Sequence, residues 1–252
     1  MRLADYLTLF HLGRKRLDSP EAYVAFQRFQ GELLVKFLVD RGLNPRGRRV
    51  LDLGSGYGGY SLALQDSGAR VVGSDLDPAT LEGIPAVRAD ARLTPFASTS
   101  FDMVVCSSLI EHVPSAADLI REIHRLLRVG GTLYLSFPPF YTPIGGHQFS
   151  PFHLFGERAA LQIIRMRRLY RGKQWLQEHY SAVPKSYATA WGDWGLYPLT
   201  IARVEKTLRM FRFERIERST RWLPFDFSSV PILGEFLTWH VQFLLRKSSE
   251  GL

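Results

Sequence analysis

The stretch VLDLGSGYGGYSLAL, Val50–Leu64, decides the fold. A short apolar run ends at Leu53, glycines crowd the next positions, and helix-forming residues resume at Gly59. Strand, tight turn and helix in that order open an α/β unit built on a parallel sheet. Gly54, Gly56 and Gly59 follow the spacing G-x-G-x-x-G, and Asp75 stands downstream about where a dinucleotide fingerprint needs an acid. Asp52 does not suit that reading. A carboxylate just before the loop repels a pyrophosphate laid over the helix N-terminus. It favours a cofactor without phosphate that brings cationic groups.

Outward from this stretch, short apolar runs alternate with helical ones. RVLDLG, RVVGSD, a weak PAVRAD, FDMVVCSS and TLYLSF read as strands, with helices between them such as SAADLIREIHRLLRVGG, capped by Ser115 and stopped by glycine. After Phe137 the rhythm breaks for about sixty residues that hold three of the five tryptophans. It resumes with a helix at TIARVEKTLRMF and strands at RFERIERST and WHVQFLLRK. No helix separates those last two, so the final strand is expected antiparallel to its neighbour. The expected fold is a Rossmann-like, doubly wound α/β sheet of seven strands, mostly parallel with an antiparallel last strand. A helical, aromatic insertion follows the fifth strand. The expected division is an N-terminal helical segment (1–48), a cofactor-binding core (49–137), an insertion capping the substrate (138–198) and the C-terminal part of the core (199–252).

Composition narrows the classes. The 252 residues are 46% hydrophobic and 22% charged, ordinary for a globular chain, with a net charge of +8. The single Cys106 excludes a disulfide framework and argues against a cysteine-built zinc site. No run reaches the roughly 18 apolar residues of a spanning helix. The N-terminal basic cluster follows rather than precedes its apolar residues, the wrong order for a signal peptide. A cytoplasmic protein is expected, and the charge leaves peripheral contact with an anionic membrane surface open.

S-adenosylmethionine has the required character, since it carries a sulfonium and an α-ammonium and no phosphate. VLDLGSGYGG resembles motif I of the class I S-adenosylmethionine-dependent methyltransferases. Four further stretches resemble the methyltransferase-11-like branch in order: VVGSD, VRADA, FDMVVCSSLIEHV and HRLLRVGGTLYLS. The resemblance implies that Asp52, Gly54, Ser55 and Gly56 form the cofactor loop. It also implies that Asp75, beside Leu76, takes the ribose hydroxyls, that Asp90 and Ala91 meet the adenine, and that Ser107 ends the fourth strand in the site. The expected cofactor is S-adenosyl-L-methionine.

Methyl transfer to a hydroxyl needs alignment and a proton acceptor. His112, in the Glu111–His112 pair, and His147, after Gly145–Gly146, are the candidate catalytic residues, with Tyr141 and His153 as wall residues. Some relatives hold a metal with Glu-x-x-Glu-His. Ser108 stands at the first position here, so no metal is expected. The sequence lacks an Asn/Asp-Pro-Pro-aromatic motif after the fourth strand and Cys106 reads as buried, which favours oxygen over a nucleobase as acceptor. The expected acceptor is a small molecule: a saccharide, a lipid-linked glycan or a secondary metabolite. Nucleic acid is not expected. The alternatives are an RNA methyltransferase using the basic surface, then a nicotinamide oxidoreductase, against which Asp52 speaks. In the insertion, a helix placing Arg165, Arg168 and Arg171 opposite Ile163, Met166, Leu169 and Tyr170 is expected. Tyr187, Trp191, Trp194 and Tyr197 form either a stacking cluster or a small core. Arg28 is a candidate for the methionine carboxylate.

Overall fold

A computed structural model describes residues 1–167, 185–190, 194–221 and 223–248. Strands β1 (Arg49–Leu53), β2 (Arg70–Asp75), β3 (Ala86–Arg88), β4 (Phe101–Ser107), β5 (Leu127–Phe137), β6 (Phe213–Thr220) and β7 (Val241–Lys247) form one sheet in the order β3-β2-β1-β4-β5-β7-β6. The pairings from β3 to β5 are parallel, whereas β7 runs antiparallel to both β5 and β6. The sequence expectation of a mostly parallel sheet with a reversed last strand holds. The chain winds one way from β1 to β3 and the other way from β4, so β1 and β4 flank the switch point where such sheets bind ligands.

Strand alternation explains why helices cover both faces. Leu51, Leu53, Val104, Cys106, Leu133 and Leu135 point to one side and pack with Leu119, Ile120, Ile123 and Leu126 of α4 (Ala116–Leu126). Ile201, Val204 and Leu208 of α6 (Ile201–Leu208) complete that layer. The intervening Val50, Met103, Val105 and Tyr134 point the other way, onto Leu34 and Leu38 of α2 (Pro20–Val39) and Tyr60 and Leu64 of α3 (Gly59–Asp66). The central strands β1, β4 and β5 are therefore apolar over most of their buried length, as a sheet covered on both faces requires, whereas the edge strand β6 (FERIERST) is charged and partly exposed.

The N-terminal region is two helices, α1 (Leu3–Lys15) and α2. Ser19 caps α2, its hydroxyl accepting from the Ala22 amide at 3.1 Å, and Pro20 fills the first turn. Between β2 and β3, a turn at 82–83 is closed by a bridge between Leu81 and Ile84. The loop after β5 carries two short 3-10 turns, His147–Phe149 and Phe152–Phe155, before α5 (Glu157–Arg167). Phe140, Phe149, Ala160, Leu161, Ile164, Tyr187, Ala190 and Leu196 pack as a separate small core. Tyr187 thus belongs to that core, and of the stripes expected along the helix Arg168, Leu169, Tyr170 and Arg171, together with Trp191, lie outside the described residues.

Candidate active site

The glycine loop is built by the strands beside it. The amides of Gly54 and Ser55 donate to the Ser74 carbonyl at 2.7 and 3.1 Å, tying the loop to the end of β2. Gly54, Gly56 and Gly58 all lie in the left-handed region, at φ of 82°, 48° and 79°. A Cβ on Gly54 would press on Leu109 at 3.0 Å, whereas one on Gly56 would meet nothing within 4 Å, so Gly56 faces open space. Asp75 braces the loop, accepting from the Gly56 amide at 2.9 Å and the Asp77 amide at 3.1 Å.

Asp52 is 2% exposed. It accepts a hydrogen bond from the Ser61 hydroxyl at 2.6 Å, and no described cation pairs with it. Burial pushes its carboxyl up to about 6, with Asp75 adding a smaller push and Ser61 opposing. A buried acid without a counter-charge, beside a loop with open space at Gly56, fits a cationic, phosphate-free cofactor. The other expected contacts are more occupied. Asp90, exposed in part, is gripped by the Arg92 guanidinium at 2.6 Å, which holds its carboxyl low. Ala91 packs on the core beneath, and Leu76 is exposed at the rim. Ser107 lies 3.0 Å from the Ser136 hydroxyl and accepts from Arg221 at 3.0 Å. Arg28 is drawn away to Asp66 at 2.7 Å, so it does not face the site.

Across the switch point, β4 ends in the 3-10 turn Ile110–His112, which brings Glu111 and His112 under the loop carrying His147. His112 is held from outside the turn, its Nδ1 lying 2.8 Å from the Gly195 carbonyl. The Tyr197 amide donates to the Glu111 carbonyl at 2.8 Å, so the end of the insertion clamps this turn. Nε2 of His112 and Nε2 of His147 lie 3.9 and 3.7 Å from Oε1 of Glu111. The His112 ring meets both His147 and Trp194 edge-on at 4.8 Å. Burial drives both imidazoles down to about 4 and the Glu111 carboxyl up to about 7. His112 is pulled back partly by Glu111, while His153 and Arg16 lower His147 further.

The sequence named His112 and His147 as candidates but not Glu111 as the partner between them. A Cβ on Gly145 would strike the Phe140 carbonyl at 2.6 Å, and one on Gly146 would strike His153 Cβ at 2.7 Å. These glycines permit the loop to fold on itself rather than let a ligand approach. His153 is a wall residue, 2% exposed, its Nε2 2.8 Å from the Phe140 carbonyl. Arg221 and His240 were missed. Both are buried at the carboxyl edge, where Arg221 donates to Ser107 and His240 Nε2 lies 3.1 Å from the Ser108 hydroxyl. The edge rule that located the glycine loop would have found them, since Arg221 follows β6 and His240 precedes the reversed β7.

Comparison with known proteins gives the class. Residues 51–135 match the family model described as methyltransferase domain. An uncharacterised methyltransferase of Mycobacterium leprae is 29% identical over 223 residues, covering 83% of this chain and 76% of that one. Another from Mycobacteroides abscessus is 29% identical over 247 residues, covering 87% of each. Among solved structures, an S-adenosylmethionine-dependent methyltransferase from Mesorhizobium loti shares the fold at TM-score 0.54 and 21% identity, over 84% of this chain and 97% of that one. The 1,6-didemethyltoxoflavin-N1-methyltransferase of Burkholderia thailandensis, solved with S-adenosylhomocysteine, aligns at TM-score 0.50 and 15% identity, over 97% of this chain and 86% of that one. Residues 51–135 are thus a methyltransferase domain, and the chain around them has the fold of the S-adenosylmethionine-dependent methyltransferases. The neighbour from Mesorhizobium loti is S-adenosylmethionine-dependent, the cofactor expected here from the sequence.

Proposed function

We propose that this methyltransferase acts on a hydroxyl oxygen of a small molecule, of the saccharide, lipid-linked glycan or secondary-metabolite type, seated against Glu111, His112 and His147. The observation that carries the reading is the buried carboxylate flanked by two imidazoles, across the switch point from the glycine loop. S-adenosylmethionine supplies a methyl group made electrophilic by its sulfonium. In this reading Asp52 faces the cationic part of the cofactor, Gly54, Ser55 and Gly56 line its path, and Asp75 turns to its ribose. Asp90, Ala91, Leu76 and Ser107 border the rest. A hydroxyl must lose a proton as it is methylated, whereas an amine attacks with its own lone pair. Burial leaves both imidazoles unprotonated at neutral pH but also weakens them as bases, so His147 accepts that proton only with the negative charge of Glu111, 3.7 Å away, offsetting the imidazolium. The described parts of the insertion, 138–167, 185–190 and 194–198, border the acceptor side in this reading, through Gly195 on His112 and Tyr197 on Glu111.

A specific observation favours a lipid-linked acceptor within this class. Phe236, in an exposed apolar segment, stacks on Tyr141 at 5.6 Å, and Tyr141 belongs to the loop that leads to His147. An acceptor with an apolar portion meets such a surface on its way to the site.

Transfer from isotopically labelled S-adenosylmethionine to a panel of hydroxyl- and amine-bearing glycans and glycolipids tests the proposal, with the labelled methyl located by NMR. The expected product carries it on oxygen. His147→Ala should lower turnover about hundredfold or more while leaving S-adenosylhomocysteine affinity within about twofold, the mark of a group acting on the acceptor. A methyl found on nitrogen, or wild-type turnover in that variant, would sink the reading.

A further inference from the structure

The geometry points to a divalent transition-metal site, of the zinc type, formed by Glu111, His112 and His147. The inference rests on the reading that this cluster faces the acceptor, and it says how the acceptor oxygen is activated there. The three side chains each direct one donor atom inward, and these atoms all lie within 4.8 Å of one another. Two imidazoles and one carboxylate are a borderline-soft, three-ligand set, the composition that holds zinc, cobalt or iron and leaves positions open. Calcium and magnesium call for more oxygens than the cluster offers. Zinc bonds of about 2.0–2.1 Å in tetrahedral array set donor atoms roughly 3.3 Å apart. The distances of 3.9 and 3.7 Å from Glu111 to the two histidines are therefore about half an ångström open.

Two independent features single this cluster out from an ordinary buried ion pair. Glu111 is 2% exposed, yet among the described residues neither carboxylate oxygen has a hydrogen-bond partner on another residue. Burial of an acid so poorly satisfied is costly unless something else occupies the space between it and the rings. His112, for its part, already has the outer support of a metal ligand. Its Nδ1 sits 2.8 Å from the Gly195 carbonyl, which must be met by an N–H, and this leaves the Nε2 lone pair aimed toward Glu111. Ser108, at the position that made a metal improbable from sequence, does not join the cluster. It pairs with His240, and His147 from the loop after β5 stands in as third ligand.

With a cation in place, an acceptor hydroxyl at an open position becomes more acidic. Its O–H bond breaks with loss of the proton to solvent, an O–C bond forms to the transferred methyl, and the C–S bond breaks with its electron pair left on sulfur. His147 is then a ligand and not a free base, so the two roles exclude each other.

Cobalt(II) added to chelator-stripped, full-length protein distinguishes them. One cobalt per chain is expected, with visible absorption from a nitrogen- and oxygen-ligated, low-coordinate centre, displaced by equimolar zinc. Glu111→Gln and His147→Ala should each weaken binding at least tenfold. The surface variant His11→Ala should not change it, and thermal melts confirm that each variant is folded. No absorption with the wild type, or absorption undiminished in both folded variants, overturns the site. Full-rate transfer to a hydroxyl by stripped protein overturns the cation's role and leaves O-methylation standing. Tight cobalt binding with the methyl delivered to nitrogen does the reverse.

Discussion

Asp52 is held at the end of β1 with its carboxyl raised to about 6, and the sign of that shift makes a clear prediction. Between about 3.8 and 6 the folded state keeps a proton that the unfolded state has lost, so stability falls as pH rises through that window and is level above it. Asp52→Asn removes this penalty while keeping an oxygen for the Ser61 hydroxyl. The cofactor-free variant should therefore match the wild type near pH 4 and exceed it at pH 8 by an amount of up to about 3 kcal/mol. Differential scanning calorimetry at the two pH values measures it. The same substitution should weaken S-adenosylmethionine binding at pH 8, about tenfold, because a cationic ligand loses its counter-charge, and the deficit should shrink below pH 6. Equal stability differences at both pH values would show that burial does not strain this acid. Asp52 was legible in the sequence because its meaning is local, an acid two positions before a glycine turn. Glu111 was visible only as half of a pair with His112. Its approach to His147 depends on how the loop after β5 folds back, and no spacing in the chain encodes that.

Elements meet most closely where α2 crosses the start of α3. A Cβ on Gly59 would come within 2.8 Å of both the Arg28 amide nitrogen and the Val24 carbonyl oxygen, so the obstacle is backbone that has no room to give. Gly59→Ala should cost about 2 kcal/mol despite the better helix propensity of alanine, a fall of roughly 4–8 °C in Tm for a chain of this size. Gly13→Ala provides the contrast. Its Cβ would make an ordinary 3.5 Å contact with Phe26, so helix propensity should dominate and the melting temperature should rise slightly. A neutral Gly59→Ala would mean that α2 slides freely on α3. The strands and α4 could be read from the sequence because each carries its own period and caps. The segment from 138 to 156 could not, since its prolines and glycines signalled irregular backbone without saying where it packs. The small core around Phe149 and Tyr187 is assembled from residues distant in the chain, and only tertiary contact reveals it.

For the molecule as a whole, exposed apolar side chains gather on two segments, α1 and 225–239. Along α1, Leu3, Leu7 and Phe10 are exposed at spacings that place them on one helical face, and Arg14, Lys15 and Arg16 follow. That helix ends near the site, since the Arg16 charge acts on His147. From the other side come Phe225, Ile232, Leu233, Phe236 and Trp239, all exposed, with Phe236 stacked on Tyr141. No helix among the described residues is long and apolar enough to cross a membrane. An amphipathic helix with a basic end and an exposed apolar segment, on a chain of net charge +8, have the composition that predicts contact with an anionic bilayer. Such docking would bring a lipid-linked acceptor to the cluster without lifting its chain through water. Co-sedimentation should therefore show binding to phosphatidylglycerol-rich vesicles and little to phosphatidylcholine vesicles, with partial loss at high salt as the charge term is screened. Ile232→Asp and Leu7→Asp should each reduce that binding several-fold without changing S-adenosylhomocysteine affinity, because neither residue touches the glycine loop. Binding that ignores lipid charge, or that survives both substitutions, would remove the membrane from the account and favour a water-soluble acceptor at the same site.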